Sequence, residues 1–249
     1  RRANEQLTRL DKMKDDFLSQ VSHELRTPMT SIRSFSEILV STENLDDAQA
    51  RRFIEVIQHE SERLTRLLDE ILELSRLENG QLEGVSVPVD ATAVIRSAIE
   101  AMRGLTQGKG VTVHDDLGAA TLMVLADPDR LKQVCINLLS NAAKFATGAG
   151  PEIRISIGGT GDGGATVAVY FRDNGPGIPP DVRETLFQKF SRGWSANYKT
   201  DSGSGLGLAI SKRIMLLMKG DLILTETGPD GTCFSIRLLR ADEATTGAQ

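Results

Sequence analysis

Hydrophobic positions in the first third of the chain repeat with a helical period. Residues 48–79 alternate apolar spacings of four and three, the 3.5-residue period of a coiled-coil or bundle seam. This seam consists of Phe53, Ile57, Leu64, Leu67, Ile71 and Leu74, with Glu60 as its polar member. Residues 1–40 place Leu18, Leu25, Ile32 and Leu39 at a positions, with Val21 and Phe35 at d. A short polar link at residues 41–47 then predicts two antiparallel helices.

A two-helix hairpin of this size cannot bury its apolar seams by itself. Coiled-coil seams usually pair with other helices, so we expect a homodimer whose two hairpins form a four-helix bundle. The alternative is that the hairpin packs against the remainder of its own chain.

The heptad register also predicts where His23 points. With Leu18 at a, His23 falls at f, the position farthest from the seam. An exposed imidazole can offer an unprotonated nitrogen as a nucleophile. Glu24 follows directly and can accept the ring N–H, while Thr27 lies one turn later on the same face. Pro28 removes a backbone donor and clashes with the preceding turn, which predicts a kink beside the histidine.

The second part of the chain mixes strands and helices. Strand patterns occupy residues 85–89, 111–113, 121–126, 153–157, 166–171, 222–227 and 233–238, and helical patterns occupy residues 91–105, about 127–145 and 205–219. Asp127 as N-cap and Pro128 at N1 are typical of a helix start. Two hairpins among these strands favour an α+β sandwich, with one mixed sheet and helices on one face, over a doubly wound fold.

Composition supports two domains. Residues 1–83 carry 12 basic and 17 acidic side chains and one of the 23 glycines, whereas the remainder carries 17 side chains of each sign. We predict domains at residues 1–83 and 84–240, followed by a tail at 241–249. The net charge of −5 argues against nucleic-acid binding. Two cysteines exclude a disulfide scaffold and favour a reducing compartment such as the cytoplasm. Because the chain opens in mid-helix, we expect any membrane anchor to lie in regions absent from it.

Three polar side chains share one face of the helix that follows Asp127. Asn137, Asn141 and Lys144 recur at spacings of four and three. An amide oxygen can ligate Mg²⁺, and a lysine can meet a phosphate. Taken alone, this face is more typical of a solvated helix surface than of a binding site.

Three further segments are candidates for ligand binding. Asp173 ends a strand and is followed by Gly175, Gly177 and Ile178, where glycines permit close backbone approach. The segment 203–208 enters a helix with three glycines, as phosphate-binding loops do. Leu186–Phe190 carries two aromatic side chains that either flank a lid or anchor in the core.

The order and spacing of these motifs resemble the catalytic core of the sensor histidine kinases of two-component systems. The similarity extends from about residue 10 to residue 239. The matching segments are Phe17–Thr30 (H box), Asp129–Phe145 (N box), Asp173–Ile178 (G1), Leu186–Phe190 (F box), Gly203–Leu208 (G2) and Gly231–Phe234 (G3).

The resemblance implies a dimerisation and histidine-phosphotransfer domain followed by an ATP-binding domain of the Bergerat type. It implies His23 as phosphoacceptor, Glu24 as assisting base, and Thr27 as the residue that positions water during dephosphorylation of a partner. Asn141 would ligate Mg²⁺, Asp173 and Thr232 would meet adenine, and residues 191–202 would form an ATP lid. The implied nucleotide-binding residues are Asn137, Asn141, Lys144, Phe145, Asp173, Gly175, Gly177, Ile178, Arg192, Gly203, Gly205, Leu206, Gly207, Leu208 and Thr232.

The implied activity is ATP-dependent autophosphorylation of His23 and transfer of the phosphoryl group to an aspartate of a response regulator, with phosphatase activity toward that regulator. Two alternatives stay open on the sequence. One is a Bergerat-fold ATPase or Ser/Thr kinase that labels no histidine, and the other is a dimeric scaffold with a degenerate nucleotide pocket.

Overall fold

The computed structural model describes residues 2–42, 44–80, 85–146, 150–191 and 203–241, without the side chains of 2–14, 16 and 160–162. The chain separates into two compact units, Arg1–Ser75 and Arg76–Gln249. Within the described ranges, no helix combines the length and apolarity that crossing a bilayer requires.

The predicted helical hairpin consists of α1 (Arg2–Ser41) and α2 (Asp47–Glu78), and all but the last three residues of α2 belong to the first unit. The rings of Phe35 and Phe53 meet across the seam with centroids 5.2 Å apart. Both residues occupy d positions of their helices, so the two predicted seams face each other at this point, whereas Leu18, predicted at an a position, is exposed. Helix α1 continues unbroken through the buried Pro28, and the predicted kink stays a prediction.

The second unit contains seven strands and four further helices among the described residues. The strands are β1 (Val87–Asp90), β2 (Thr112–Asp116), β3 (Met123–Ala126), β4 (Glu152–Gly161), β5 (Thr166–Asp173), β6 (Asp221–Gly228) and β7 (Gly231–Leu239). The helices are α3 (Ala91–Gly108), α4 (Pro128–Phe145), α5 (Pro180–Arg183) and α6 (Gly207–Leu217).

Five strands form the predicted mixed sheet, in the order β2-β4-β5-β7-β6. Strands β2 and β4 are parallel, and every other neighbouring pair is antiparallel. The sequence did not reveal that β1 pairs with β3 in a separate two-stranded sheet. A bridge between Val124 and Arg240 joins that small sheet to the end of β7.

Helix α4 forms the centre of the helical layer, packing on α3, α6, β4 and β5. Its start is the predicted cap, because the Asp127 carboxylate accepts hydrogen bonds from the backbone N–H groups of Asp129 (3.0 Å) and Arg130 (3.1 Å). Its apolar face is buried, as predicted, through Leu131, Val134, Cys135, Leu138, Leu139 and Ala142. The opposite face therefore presents the polar side chains of the N-box segment.

Candidate functional site

Asp173 forms the base of the predicted nucleotide cleft at the end of β5. Its side chain is buried, and its Oδ1 atom accepts hydrogen bonds from the backbone N–H groups of Gly175 (2.8 Å) and Thr232 (3.3 Å). Burial raises the pKa of this carboxyl to about 6, although the two N–H donors act in the opposite direction. The carboxyl group is thus an anchored acceptor whose pKa lies well above the ordinary range of an aspartate.

Glycines around Asp173 are required by close backbone contacts. A Cβ on Gly175 would lie 2.4 Å from the carbonyl oxygen of Phe145. Gly177 has φ +79°, and its Cβ would lie 2.1 Å from the carbonyl oxygen of Gly228. Gly231 has φ +133°, and its Cβ would lie 2.0 Å from the carbonyl oxygen of Asp173. The G1 segment and the β6–β7 turn therefore pack together without intervening side chains.

Two threonines line the same side of the site. The Thr227 hydroxyl accepts a hydrogen bond from the backbone N–H of Ile178 (2.7 Å) and lies 3.4 Å from the Thr232 hydroxyl. Thr232 is buried beside Asp173 through the pairing of β5 with β7. The sequence reading named Ile178 and Thr232 but missed Thr227, because only the β6–β7 pairing shows that it faces Thr232.

Helix α4 brings its three predicted polar side chains to one face, and all are half-buried. Asn137 donates a hydrogen bond from Nδ2 to the Ser211 hydroxyl of α6 (2.9 Å). A Cβ on Gly207 would lie 2.5 Å from Asn137 Oδ1, so the start of α6 also rests on this amide. Asn137 thereby joins α4 to α6, and Ser211 is a partner that the sequence reading did not identify.

Lys144 and Asn141 lie farther along α4. A Cβ on Gly203 would lie 3.2 Å from Lys144 Nζ, which brings the ammonium group to the glycine loop. The described residues contain no group of three or more His, Cys, Asp or Glu that could hold a metal ion. The Asn141 amide oxygen fits Mg²⁺, which binds proteins through few ligands when nucleotide phosphates supply the others.

The glycine loop enters α6 through a turn that requires glycine. Gly205 adopts φ +76°, and a Cβ there would lie 2.9 Å from the Cα and carbonyl carbon of Phe190. The Leu206 N–H donates to the Ser204 hydroxyl (3.1 Å), and Leu206 is fully buried. Gly207 begins α6, and Leu208 follows half-buried. The backbone of residues 203–206 therefore leads directly into the N-terminus of α6, the arrangement that is typical of anion-binding loops.

The two F-box aromatic side chains differ in their burial. Phe190 is buried, and Phe187 packs edge-to-face on Phe234 with centroids 6.4 Å apart. Of the two alternatives read from the sequence, core anchoring is observed for Phe190, whereas Phe187 is half-buried. Arg192 and nearly all of the predicted lid, residues 192–202, lie outside the described residues.

The second predicted site lies on α1 in the other unit. His23 is exposed, as its f position predicted, and Glu24 is half-buried. The Thr27 hydroxyl donates a hydrogen bond to the His23 carbonyl oxygen (3.3 Å). A concave surface of α1 beside the histidine is lined by His23, Arg26, Thr27, Thr30, Ser31, Ser34 and Phe35. The imidazole is thus accessible, within a surface of one cation and several hydroxyl groups.

Comparison with known proteins supports both halves of the chain independently. Residues 13–80 match the His Kinase A (phospho-acceptor) domain. Residues 126–242 match the histidine kinase-, DNA gyrase B- and HSP90-like ATPase family. The two matches together cover about three quarters of the chain.

Individual relatives agree with these matches. An uncharacterised sensor-like histidine kinase, ycf26 of Porphyra purpurea, is 33% identical over 245 residues, which are 94% of this chain and 37% of the relative. The histidine kinase ThkA, solved in complex with the response regulator TrrA, aligns with a TM-score of 0.71 at 26% identity over 96% of this chain and 64% of the solved one. Full-length ShkA, solved with AMPPNP, aligns with a TM-score of 0.65 at 26% identity over 91% of this chain and 46% of the solved one.

The chain spans between about a fifth and about half of the length of the curated relatives it matches. The solved relatives confirm the predicted fold, a helical hairpin followed by a Bergerat-type α/β sandwich. Its domains are those of histidine kinases, which are phosphotransferases. The order of motifs, the observed fold and the two domain matches agree, and the chain therefore belongs to the sensor histidine kinases of two-component systems.

Proposed function

We propose that this chain is a kinase core that transfers the γ-phosphoryl group of ATP to a ring nitrogen of His23. The observation that carries the proposal is the cleft around Asp173, where a buried carboxyl acceptor and a glycine loop meet the polar face of α4. Asp173 accepts a hydrogen bond from the adenine amino group, and Thr232 lies beside it. The backbone of residues 203–208 and the Lys144 ammonium meet the phosphates.

Phosphoryl transfer needs positioning and charge neutralisation more than covalent help from the protein. Asn141 would hold Mg²⁺ together with the nucleotide phosphates, and the cation would supply charge neutralisation for the transferred group. The exposed His23 imidazole attacks the γ-phosphorus of ATP through its unprotonated nitrogen, and the bond from that phosphorus to the β–γ bridging oxygen breaks to release ADP. Glu24 accepts a hydrogen bond from the N–H of the other ring nitrogen, so the attacking nitrogen stays unprotonated.

The phosphoryl group then passes to an aspartate of a response regulator. The concave surface of α1 supports this step, because Arg26 and the neighbouring hydroxyls offer donors to an anionic partner beside His23. Thr27 lies exposed in the same turn, and its oxygen can accept a hydrogen bond from water. We assign it to the water-dependent removal of the phosphoryl group from the regulator.

The use of ATP and the two free cysteines fit the cytoplasm as the compartment in which this chain works.

Labelling with γ-³²P ATP tests the proposal directly. We expect the wild-type chain to acquire a label that acid removes and base does not, the behaviour of a phosphorus–nitrogen bond. His23→Gln should abolish labelling. His59→Gln is the matched control, since His59 is also exposed on the hairpin, and it should label normally.

Binding of ADP by His23→Gln serves as the folding control and should equal that of the wild type. An acid-stable label, or ATP turnover without label, would instead identify an ATPase or a Ser/Thr kinase. Absence of nucleotide binding in calorimetry would identify a scaffold.

A further inference from the structure

Residues 187–190, which come before the glycine loop (203–208) in the chain, are contacted by the Lys212 ammonium group of α6. The Lys212 Nζ atom lies 5.1 Å from the centroid of the Phe187 ring. The same ring also packs edge-to-face on Phe234 of β7. Phe187 is therefore bound on one side by the sheet and on another by an ammonium group, an arrangement in which the cation is attracted to the ring electrons.

Lys212 is itself fixed at the start of β6. Its Nζ atom donates to Asp221 Oδ1 (2.6 Å) and to the Leu222 carbonyl oxygen (2.9 Å). The Lys212 and Asp221 side chains retain only 28% and 32% of their exposure. Two short hydrogen bonds to a strand in the sheet leave the ammonium group little freedom to move away from the ring.

The same segment supports the glycine loop through backbone contact. Phe190, three residues after Phe187, is buried and adopts φ +58°, a conformation that side-chain-bearing residues rarely take. Gly205 packs on the Phe190 backbone so closely that even a Cβ would not fit. A displacement of the 187–190 segment is therefore transmitted to the glycine loop without a side chain to absorb it.

We propose that Lys212 is a positioning residue of the nucleotide site, which acts through Phe187 and the Phe190 backbone to hold the glycine loop in its binding geometry. Lys212 touches no part of the nucleotide in this scheme. The inference rests on the proposed function, because it presupposes that the glycine loop binds the phosphates of ATP. It assigns the lysine to nucleotide affinity and leaves the chemical step unaffected.

Variants at Lys212 and its neighbour test this assignment. Lys212→Met should weaken ADP binding about threefold to tenfold, the range expected for losing a partly desolvated cation–π contact. The KM for ATP should rise by a similar factor while kcat of His23 labelling stays within about twofold. Lys212→Arg should keep an ADP affinity close to that of the wild type, because a guanidinium group also pairs with carboxylates and stacks on aromatic rings. Arg213→Met removes an exposed cation from the same helix and should bind ADP normally.

The ring contact is separated from the ion pair by a double-mutant cycle. Phe187→Leu should weaken ADP binding, and Lys212→Met should cost little more in that background, because both changes remove the same contact. Phe187→Leu also supplies the affinity comparison if Lys212→Met fails to fold. Asp221→Asn, which keeps the ring contact, should lower affinity less than Lys212→Met.

Unchanged ADP affinity in Lys212→Met, accompanied only by a lower melting temperature, would show that the lysine is merely structural and would overturn the inference. Additive effects in the cycle would overturn it as well. Failure of the wild-type chain to bind ADP would instead remove the proposed function, and the inference with it. The wild-type measurement thus distinguishes the two failures.

Discussion

At Asp173, residue type and surroundings jointly determine the chemistry. The residue type and the following glycines are visible in the sequence, and they suffice to nominate a ligand-binding carboxyl. Its titration depends on burial by β7 and the G1 segment, which raises the pKa to about 6. The backbone donors of Gly175 and Thr232 hold the group in place but do not offset the loss of solvent.

This raised pKa gives a prediction about pH. In the unfolded chain an aspartate titrates at about 3.9, so the folded state holds its proton over a wider range. The contribution of Asp173 to the free energy of unfolding is complete below about pH 4 and is lost as the pH rises to about 6. In the proposed nucleotide site, an ionised Asp173 accepts a hydrogen bond from the adenine amino group more strongly than a neutral one, so nucleotide affinity should rise between pH 5 and pH 7.

Carboxyl ¹³C NMR of Asp173, assigned with Asp173→Asn, measures this titration. We expect a midpoint near pH 6 in the free protein and a lower midpoint when ADP is bound, because a hydrogen-bond donor favours the charged form. A midpoint near 4 in the free protein, or one that ADP leaves unchanged, would contradict the prediction.

Among the elements, α2 combines a regular apolar seam with one charged member. Glu60 occupies a d position, and its side chain is 16% exposed. It pairs with Arg63 of the next turn (3.3 Å) and with His59 (3.6 Å). A polar group in a helical seam lowers stability while it specifies how the helices align. The seven-residue pattern predicted this position, but only the structure shows its partners.

We predict that Glu60→Leu stabilises the hairpin by about 1 kcal/mol, since at a d position an apolar side chain gains from burial whereas the carboxylate loses hydration there. Arg63 keeps enough exposure to be hydrated after the change. Calorimetric unfolding of the whole chain should show the transition of the helical unit several degrees higher.

Glu55→Leu is the matched control for this change. Glu55 is exposed on the same helix and outside the seam, so its replacement should leave that transition within about 1 °C. Equal shifts for both variants would show that helix propensity, and not seam packing, causes the effect.

At the scale of the whole molecule, the hairpin leaves large apolar side chains uncovered. The exposed set on α1 and α2 includes Leu18, Met29, Ile38, Ile54, Leu68 and Leu72, with exposures from 36% to 58%. Exposed apolar positions along both helices are typical of an association surface. We therefore retain the homodimer as a proposal, with a second hairpin as the partner that covers these side chains.

Leu68→Glu tests that proposal. Placing a charge in the association surface should shift the chain from dimer to monomer in sedimentation velocity, since burying an unpaired carboxylate is costly. Leu216→Glu is the control, because Leu216 is comparably exposed on α6, outside the hairpin, and this variant should remain dimeric. A monomeric wild type, or a dimeric Leu68→Glu variant, would contradict the prediction.

The sequence predicted those features of this protein that depend on residues close together in the chain. Helical seams, the Asp127 cap and the two hairpins depend on residues within about one to three turns or across a short loop, so periodicity and turn chemistry predict them. The order of the sequence boxes likewise indicates the family, because it depends on the sequence alone.

What only the tertiary structure decided lies between distant residues. The Asp173–Thr232 bond joins positions 59 apart, and the Asn137–Ser211 bond joins positions 74 apart. The separate β1–β3 sheet and the Lys212–Phe187 contact are of the same kind. Sequence patterns record which residues favour burial or a helix, but not which surfaces meet. The raised pKa of Asp173 and the support beneath the glycine loop arise only when those surfaces pack together.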